Sequence, residues 1–389
     1  MPDINFKAHN ARSSEIWAAW RAGDPIRVPV TIYADSRNWI GEPQLNTSGV
    51  TLPDYLRHPE LMLNVQVRAQ EWIRCNILSD DGMGLPDDGW PLIVDFQNYL
   101  EMAWFGAKVH ESAEPHCRSL LDDNHRELLF ERGLPDPWQG IGAEVLRFYE
   151  YFQERRQDFT WQGRPIGPVS MPFNMTGTDG PFTLAAALRG TENFLFDMLD
   201  DPDYARQLLD FVTTATIRRI KAVRQYLGEP ERSAGFGFAD DAIVMLSTGL
   251  YEEYVLPSHQ RIFDALTTGN ENRSFHLCGD AQRFFPILQN KLNVRSFDTG
   301  FPIHFEKLYD ELAADTCVMG GPPVSMLLNG TPGQIDAEVR RILQSGVMTR
   351  SKRFILREAN ALAPRTPLDN VNQIYRTCER ADFYKEGRL

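Results

Sequence analysis

Ser274-Phe275-His276-Leu277-Cys278-Gly279-Asp280 is the stretch on which both the fold and the chemistry turn. In extended backbone the side chains alternate between two faces. His276 and Cys278 therefore point one way, and Phe275 and Leu277 the other. Gly279 lets the chain turn, and a helix-like apolar pattern runs from Ala281 to Leu292. The segment reads as strand, tight turn and helix. An imidazole and a thiolate side by side at the C-terminal end of a strand suit a borderline-soft ion such as zinc. A core cysteine beside a hydrogen-bonded histidine would have the same spacing.

The same unit recurs on either side. Downstream, Val294 to Asp298 reads as a strand and Ile303 to Ala313 as a helix. Thr316 to Met319 is a strand ending at Gly320-Gly321. Thr331-Pro332 then opens a helix with Gly346 just past its end, Pro and Gly each standing where the backbone favours them. Arg353 to Glu358 is the last strand, before a helix opened by Thr366-Pro367. Upstream, Ala234 to Ala239 is a strand ending in Asp240-Asp241, and Tyr251 to Leu266 is helical with an interruption near Pro257. Earlier strands fall at Arg27–Tyr33, Pro91–Phe96 and Pro165–Pro172. Helices are expected at 11–22, Asp54–Ile77 (broken at His58-Pro59), 143–155, Pro181–Ala187 and Tyr204–Tyr226. Residues 111–140 are mixed and proline-containing, and read as surface excursions.

These eight strand candidates alternate with helices, and no linker divides them. That order implies parallel strands joined by right-handed crossovers. The expected fold is α/β: a single (β/α)8 TIM-type barrel occupying residues 1–389, with an N-terminal helical extension over 1–27 and enlarged early loops. A doubly wound open sheet is the runner-up, but no Gly-x-Gly-x-x-Gly follows a strand.

Composition bounds the function. Of 389 residues, 42% are hydrophobic and 24% charged, and the formal net charge is −13. With no basic block to offset that acidity, a nucleic-acid partner is not expected. The five cysteines, odd in number and widely spread, indicate a reducing compartment. No signal-peptide pattern opens the sequence, and no stretch approaches the roughly 20 apolar residues that cross a bilayer. The expectation is a cytoplasmic protein without membrane contact. A flat apolar face on the early helices could serve a homodimer.

In a barrel of this kind the chemistry collects at the C-terminal strand ends. The residues there are Asp95, Asp240, Asp241, His276, Cys278, Asp298, Gly320-Gly321, and Glu358 with Asn360. Asp95 could instead cap the following helix. Asp240 and Asp241, being adjacent, point opposite ways in extended backbone, so one of them reaches the pocket. His276 and Cys278 supply two metal ligands, and Glu358 or Asp240 could add an oxygen. Cys317, three residues before Gly320, lies about 10 Å below the strand end and reads as core.

At this point the sequence resembles the uroporphyrinogen decarboxylase superfamily, and within it the corrinoid-linked, cobalamin-dependent methyltransferase-like members. The matching stretches are Gly180-Pro-Phe-Thr-Leu-Ala185 with Arg189-Gly190, and Asp240-Asp241 leading to Tyr251-Glu-Glu-Tyr-Val-Leu-Pro257. His276-Leu-Cys278-Gly-Asp280, Met319-Gly320, Gly330-Thr-Pro332 and Thr366-Pro367-Leu-Asp-Asn370 complete them. The Arg-Gln-Ala-Gly-Arg run of the porphyrinogen decarboxylases, which binds substrate carboxylates, has Ala34-Asp-Ser-Arg-Asn38 as its counterpart here.

The resemblance implies a barrel that holds zinc through His276 and Cys278. Asn360 stands where those methyltransferases place a later cysteine ligand. The resemblance further implies Asp240, Glu358 and Asp95 as catalytic groups, and Asp241, Asp298, Asn360, Arg357 and Phe182 as substrate contacts. The implied activity is a zinc-assisted methyltransferase moving a methyl group between a small substrate or thiol and a separate corrinoid protein. Two alternatives stay open: a metal-independent decarboxylase or lyase on a carboxylate substrate, using Asp95, Asp240 and Arg357, and a non-catalytic tetrapyrrole- or metabolite-binding barrel.

Overall fold

A computed structural model describes residues 4–110, 112–347 and 353–380. The strands in chain order are β1 (Trp90–Ile93), β2 (Val109–His110), β3 (His116–Cys117), β4 (Thr160–Trp161) and β5 (Arg164–Ser170). They continue with β6 (Ser233–Ala239), β7 (Thr267–Leu277), β8 (Val294–Thr299), β9 (Cys317–Gly320) and β10 (Phe354–Leu356). The last five form one sheet, in the order β10-β9-β8-β7-β6, and every pairing in it is parallel. A helix follows each of these strands, as the alternation in the sequence requires. The molecule is therefore an α/β fold.

Register lines up the site. Ala239 pairs with His276, His276 with Asp298, Asp298 with Met319, and Met319 with Ile355, a single row across five strands. Within β7 and just beyond it, Phe275 and Leu277 are buried while His276 and Cys278 are half-buried on the opposite face. Phe275 packs edge-on against Phe238, ring centres 4.7 Å apart, and tilted against His259 at 5.1 Å. Burying one such ring contributes roughly 1.5–3 kcal/mol, so the apolar face fixes which way the polar face looks.

Earlier segments meet both edges of this sheet. The expected strand over 27–33 is reduced to one parallel bridge, Val30 to Leu356. Leu356 N–H donates to the Pro29 carbonyl at 2.9 Å and Thr31 N–H to the Leu356 carbonyl at 3.0 Å. Pro29 itself has no N–H, so the ladder stops there. At the other edge Ala239 N–H donates to the Thr178 carbonyl at 3.1 Å. β1 and β5 pair in parallel, β4 folds back antiparallel on β5, and β2 pairs antiparallel with β3, which lies inside the stretch 111–140 expected to be irregular.

Helix boundaries follow local chemistry. The chain breaks at His58, between helices Leu52–Arg57 and Pro59–Asn76, because Pro59 can open a helix but cannot continue one. Thr331 and Gln334 form a capping box for the helix Pro332–Gln344. Before Pro257 the chain makes a π turn, Tyr251–Val255, and then runs as an α-helix through Leu256–Leu266. A second apolar cluster, with Trp90, Tyr55, Phe148 and Phe152 fully buried, packs β1 and β5 against the early helices.

Candidate metal centre and adjoining cavities

His276, Cys278 and Asp241 converge. One ligand atom from each (a ring nitrogen, the sulfur and a carboxylate oxygen) lies within 4.8 Å of the others. His276 Nε2 is 3.0 Å from Cys278 Sγ and 3.8 Å from Asp241 Oδ1. Asp241 Oδ1 also accepts the Cys278 N–H at 2.7 Å, which fixes the carboxylate against the turn. Gly279 takes φ 73 there, and Gly300 packs so closely that an added Cβ would stand 2.7 Å from Cys278 Cα.

The ring of His276 is held from behind. Its Nδ1 is 2.8 Å from Asp298 Oδ2, and Arg357 Nη1 reaches the same carboxylate oxygen at 3.2 Å. Burial would lower the His276 pKa, but hydrogen bonds and charge from Asp298 and Cys278 outweigh it and raise the pKa to about 11. A carboxylate-held imidazole, a sulfur and a carboxylate oxygen at this spacing are a chemically suitable donor set for a zinc-like ion. Asn360 completes the surroundings, with Nδ2 3.0 Å from Cys278 Sγ.

Several residues fall elsewhere than expected. Asp240 is not an oxygen of the pocket. It is fully buried and accepts from Phe182 N–H at 3.0 Å, Thr183 N–H at 2.7 Å, Thr183 Oγ1 at 2.7 Å and His259 Nε2 at 2.8 Å. It thereby caps the helix Pro181–Arg189 from another strand, a helix whose own cap position is Gly180 and has no side chain to offer. A Cβ on Gly180 would stand 2.4 Å from Asp240 Cβ. Asp241 enters the site because the 3-10 turn Asp241–Met245 begins at it.

Phe182, expected to touch substrate, is fully buried with its ring 5.6 Å from that of Phe194. Asp298, expected to touch substrate, is engaged by His276 and Arg357. Arg357 in turn donates to Glu358 Oε1 at 2.7 Å. Glu358 is fully buried, accepts Tyr33 N–H at 3.2 Å, and stands outside the three-ligand group. Burial raises its pKa to about 7 despite Arg357. Cys317, expected in the core, is half-buried low in β9, and desolvation pushes its pKa up to about 11.

Asp95 lines a cavity of about 480 Å³, together with Tyr33, Asp35, Arg37, Asn174 and Asp179. It accepts from Tyr55 Oη at 3.1 Å and Gln97 N–H at 3.0 Å, and burial raises its pKa. Arg37, the one arginine among the described lining residues of this cavity, is already paired to Asp35, Nη2 to Oδ2 at 2.7 Å. A larger cavity of about 1380 Å³ shares Arg37, Gln97 and Asn98 with it and extends to Tyr99, His116 and Arg118. His276 and Cys278 are not in either wall. Asp179 links the regions: burial, then Glu101, then Asp241 raise its pKa.

Sequence reasoning missed Asp179 and the buried pair that positions it. Glu101 accepts Asp179 N–H at 2.7 Å and Thr178 Oγ1 at 2.8 Å, and is itself paired with Arg219. Both side chains of that pair are 0% exposed. Neither residue carries a local motif.

A family model described as uroporphyrinogen decarboxylase (URO-D) matches residues 174–381. The chain belongs to this family. The matched span contains the Asp240-Asp241 turn, the His276/Cys278 strand and Asn360. Among URO-D-like relatives, a methylated-thiol–coenzyme M methyltransferase of Methanosarcina mazei is 27% identical over 207 residues, 51% of each chain. A methylcobamide:CoM methyltransferase of the same organism is 25% identical over 170 residues, 43% of this chain and 48% of the relative. The chain thus spans about half the length of the relatives it matches. The fold is shared with a solved methyltransferase from Methanosarcina mazei at a TM-score of 0.61 and 18% identity, covering 96% of this chain and 99% of that one.

Proposed function

We propose that this protein is a zinc-assisted methyltransferase that moves a methyl group between a small substrate or thiol and a separate corrinoid protein. The observation that carries the reading is the three-donor group Asp241, His276 and Cys278 at one level of the parallel sheet. The activities for which the two relatives are named, both coenzyme M methyltransferases, support it. So does the family's sequence span, which covers every donor.

Asp241, His276 and Cys278 would hold the ion. Bound there, zinc supplies Lewis-acid chemistry, lowering the pKa of an acceptor thiol or polarising the oxygen of a methoxy donor. Asp298 keeps His276 oriented with Nε2 toward the sulfur, and Arg357 in turn holds Asp298. Asp95 and Asp179, the cavity carboxylates with raised pKa values, are placed to accept or release a proton from bound substrate.

The wider assignment is a (β/α)8 barrel forming one domain over 1–389, its first segment bridging β10 and its loop after β5 meeting β6. We assign it to the cytoplasm, where its five widely spread cysteines suit a reducing medium. Among the described residues no helix is long and apolar enough to cross a membrane. A homodimer through the early helices belongs to the same proposal. The lyase alternative needed Asp240 at the substrate, and Asp240 is enclosed by the helix it caps.

The test is metal analysis of purified protein, alone and as Asp241→Asn, His276→Ala and Cys278→Ser. The reading requires one zinc per chain in the parent and its loss in each variant. A parent that takes up no zinc when the ion is supplied would sink it.

A further inference from the structure

Asn360 is held where an asparagine is strained. Its φ is 115, a region that L side chains rarely adopt and glycine enters freely. Neighbouring backbone pins it there. Ala359 bridges Pro323 and donates to the Pro322 carbonyl at 3.0 Å, and Asn360 N–H donates to the Glu358 carbonyl at 3.0 Å.

The amide's two ends are told apart by their partners. Oδ1 accepts the Ala361 N–H at 2.7 Å, which turns Nδ2 to the Cys278 sulfur at 3.0 Å. The opposite orientation would lose the Ala361 bond and set an oxygen against the sulfur. Asn360 therefore presents a donor to Cys278, and an amide nitrogen that donates cannot ligate.

We propose that Asn360 is a positioning residue that weakens the Cys278 sulfur as an electron donor to the ion. The inference rests on the metal-centre reading above. His276 Nε2 and Asn360 Nδ2 both contact Sγ. An ion takes the place of the Nε2 proton, so of these two contacts only the Asn360 N–H···S bond persists. A hydrogen bond to a thiolate draws density from the sulfur lone pair, and less is then shared with the metal. Together with the carboxylate Asp241 in the donor set, this leaves the bound ion more electrophilic than an undamped thiolate site. Backbone strain at Asn360 is offset by that contact, which glycine could not make.

Cobalt(II) is the probe, because a sulfur-to-cobalt charge-transfer band reads the sulfur directly, without turnover. Asn360→Gly deletes the amide and relieves the backbone, and Asn360→Ala deletes it without that relief. The expected result is a band moved to longer wavelength in both variants, with the glycine variant melting no lower than the parent. Bands at the parent's wavelength in both variants would overturn the proposal and leave Asn360 a loop residue. A parent protein with no cobalt–sulfur band, or one whose band survives Cys278→Ser, would overturn the metal-centre reading and this proposal with it.

Discussion

His276 Nδ1 lies 2.8 Å from Asp298 Oδ2, and this contact sets which ring nitrogen faces Cys278. Asp298→Asn keeps the shape but removes the charge that holds the ring. Zinc affinity should fall by about 10- to 100-fold, measured by competition with a chromogenic chelator. Unchanged affinity would mean that Asp298 does not orient the ligand.

The adjacent aspartates should separate cleanly by readout. Asp241→Asn should reduce zinc occupancy while changing stability by no more than about 0.5 kcal/mol, since its side chain is 43% exposed. Asp240→Asn should leave zinc in place and cost about 3 kcal/mol in urea unfolding, because it sets an amide against backbone donors in the core. Reversed outcomes would exchange their roles.

Glu358 makes stability depend on pH. Burial raises its pKa from 4.5 to about 7, so between those values the folded protein keeps a proton that the unfolded chain releases. This contribution is complete below the lower value and lost as pH rises through the upper one, about 3 kcal/mol in all. Glu358→Gln has no such proton. Its unfolding free energy should lack that part of the decline between pH 4.5 and about pH 7, the window set by the same pair of pKa values.

Glu101 and Arg219 form an ion pair with both side chains fully buried. Removing one partner, as in Arg219→Met, should cost about 3–5 kcal/mol. The turn 177–180 should become more protease-sensitive, since Glu101 holds Thr178 and Asp179. Zinc content should be unaffected.

The part of this site that sequence displayed was the part governed by short-range periodicity. Period two placed His276 and Cys278 on one face, and proline marked the starts of the helices at Pro181 and Pro332. Alternation also required Asp240 and Asp241 to diverge, but which one looked inward depended on the close approach of Gly180, sixty residues earlier. Glu101 and Arg219 are 118 residues apart, so no local pattern could pair them. The strand expected over 27–33 failed for the opposite reason: its apolar run was legible, while the missing donor of Pro29 shortened its ladder.

Asp240 fastens its neighbour Asp241 to a packed helix. The oxygen donor is thus already in place before any ion arrives, and loading needs no segment to order itself. Amide hydrogen exchange across residues 178–184 and 239–245 should therefore be nearly the same with and without zinc, and metal uptake should carry little entropic penalty.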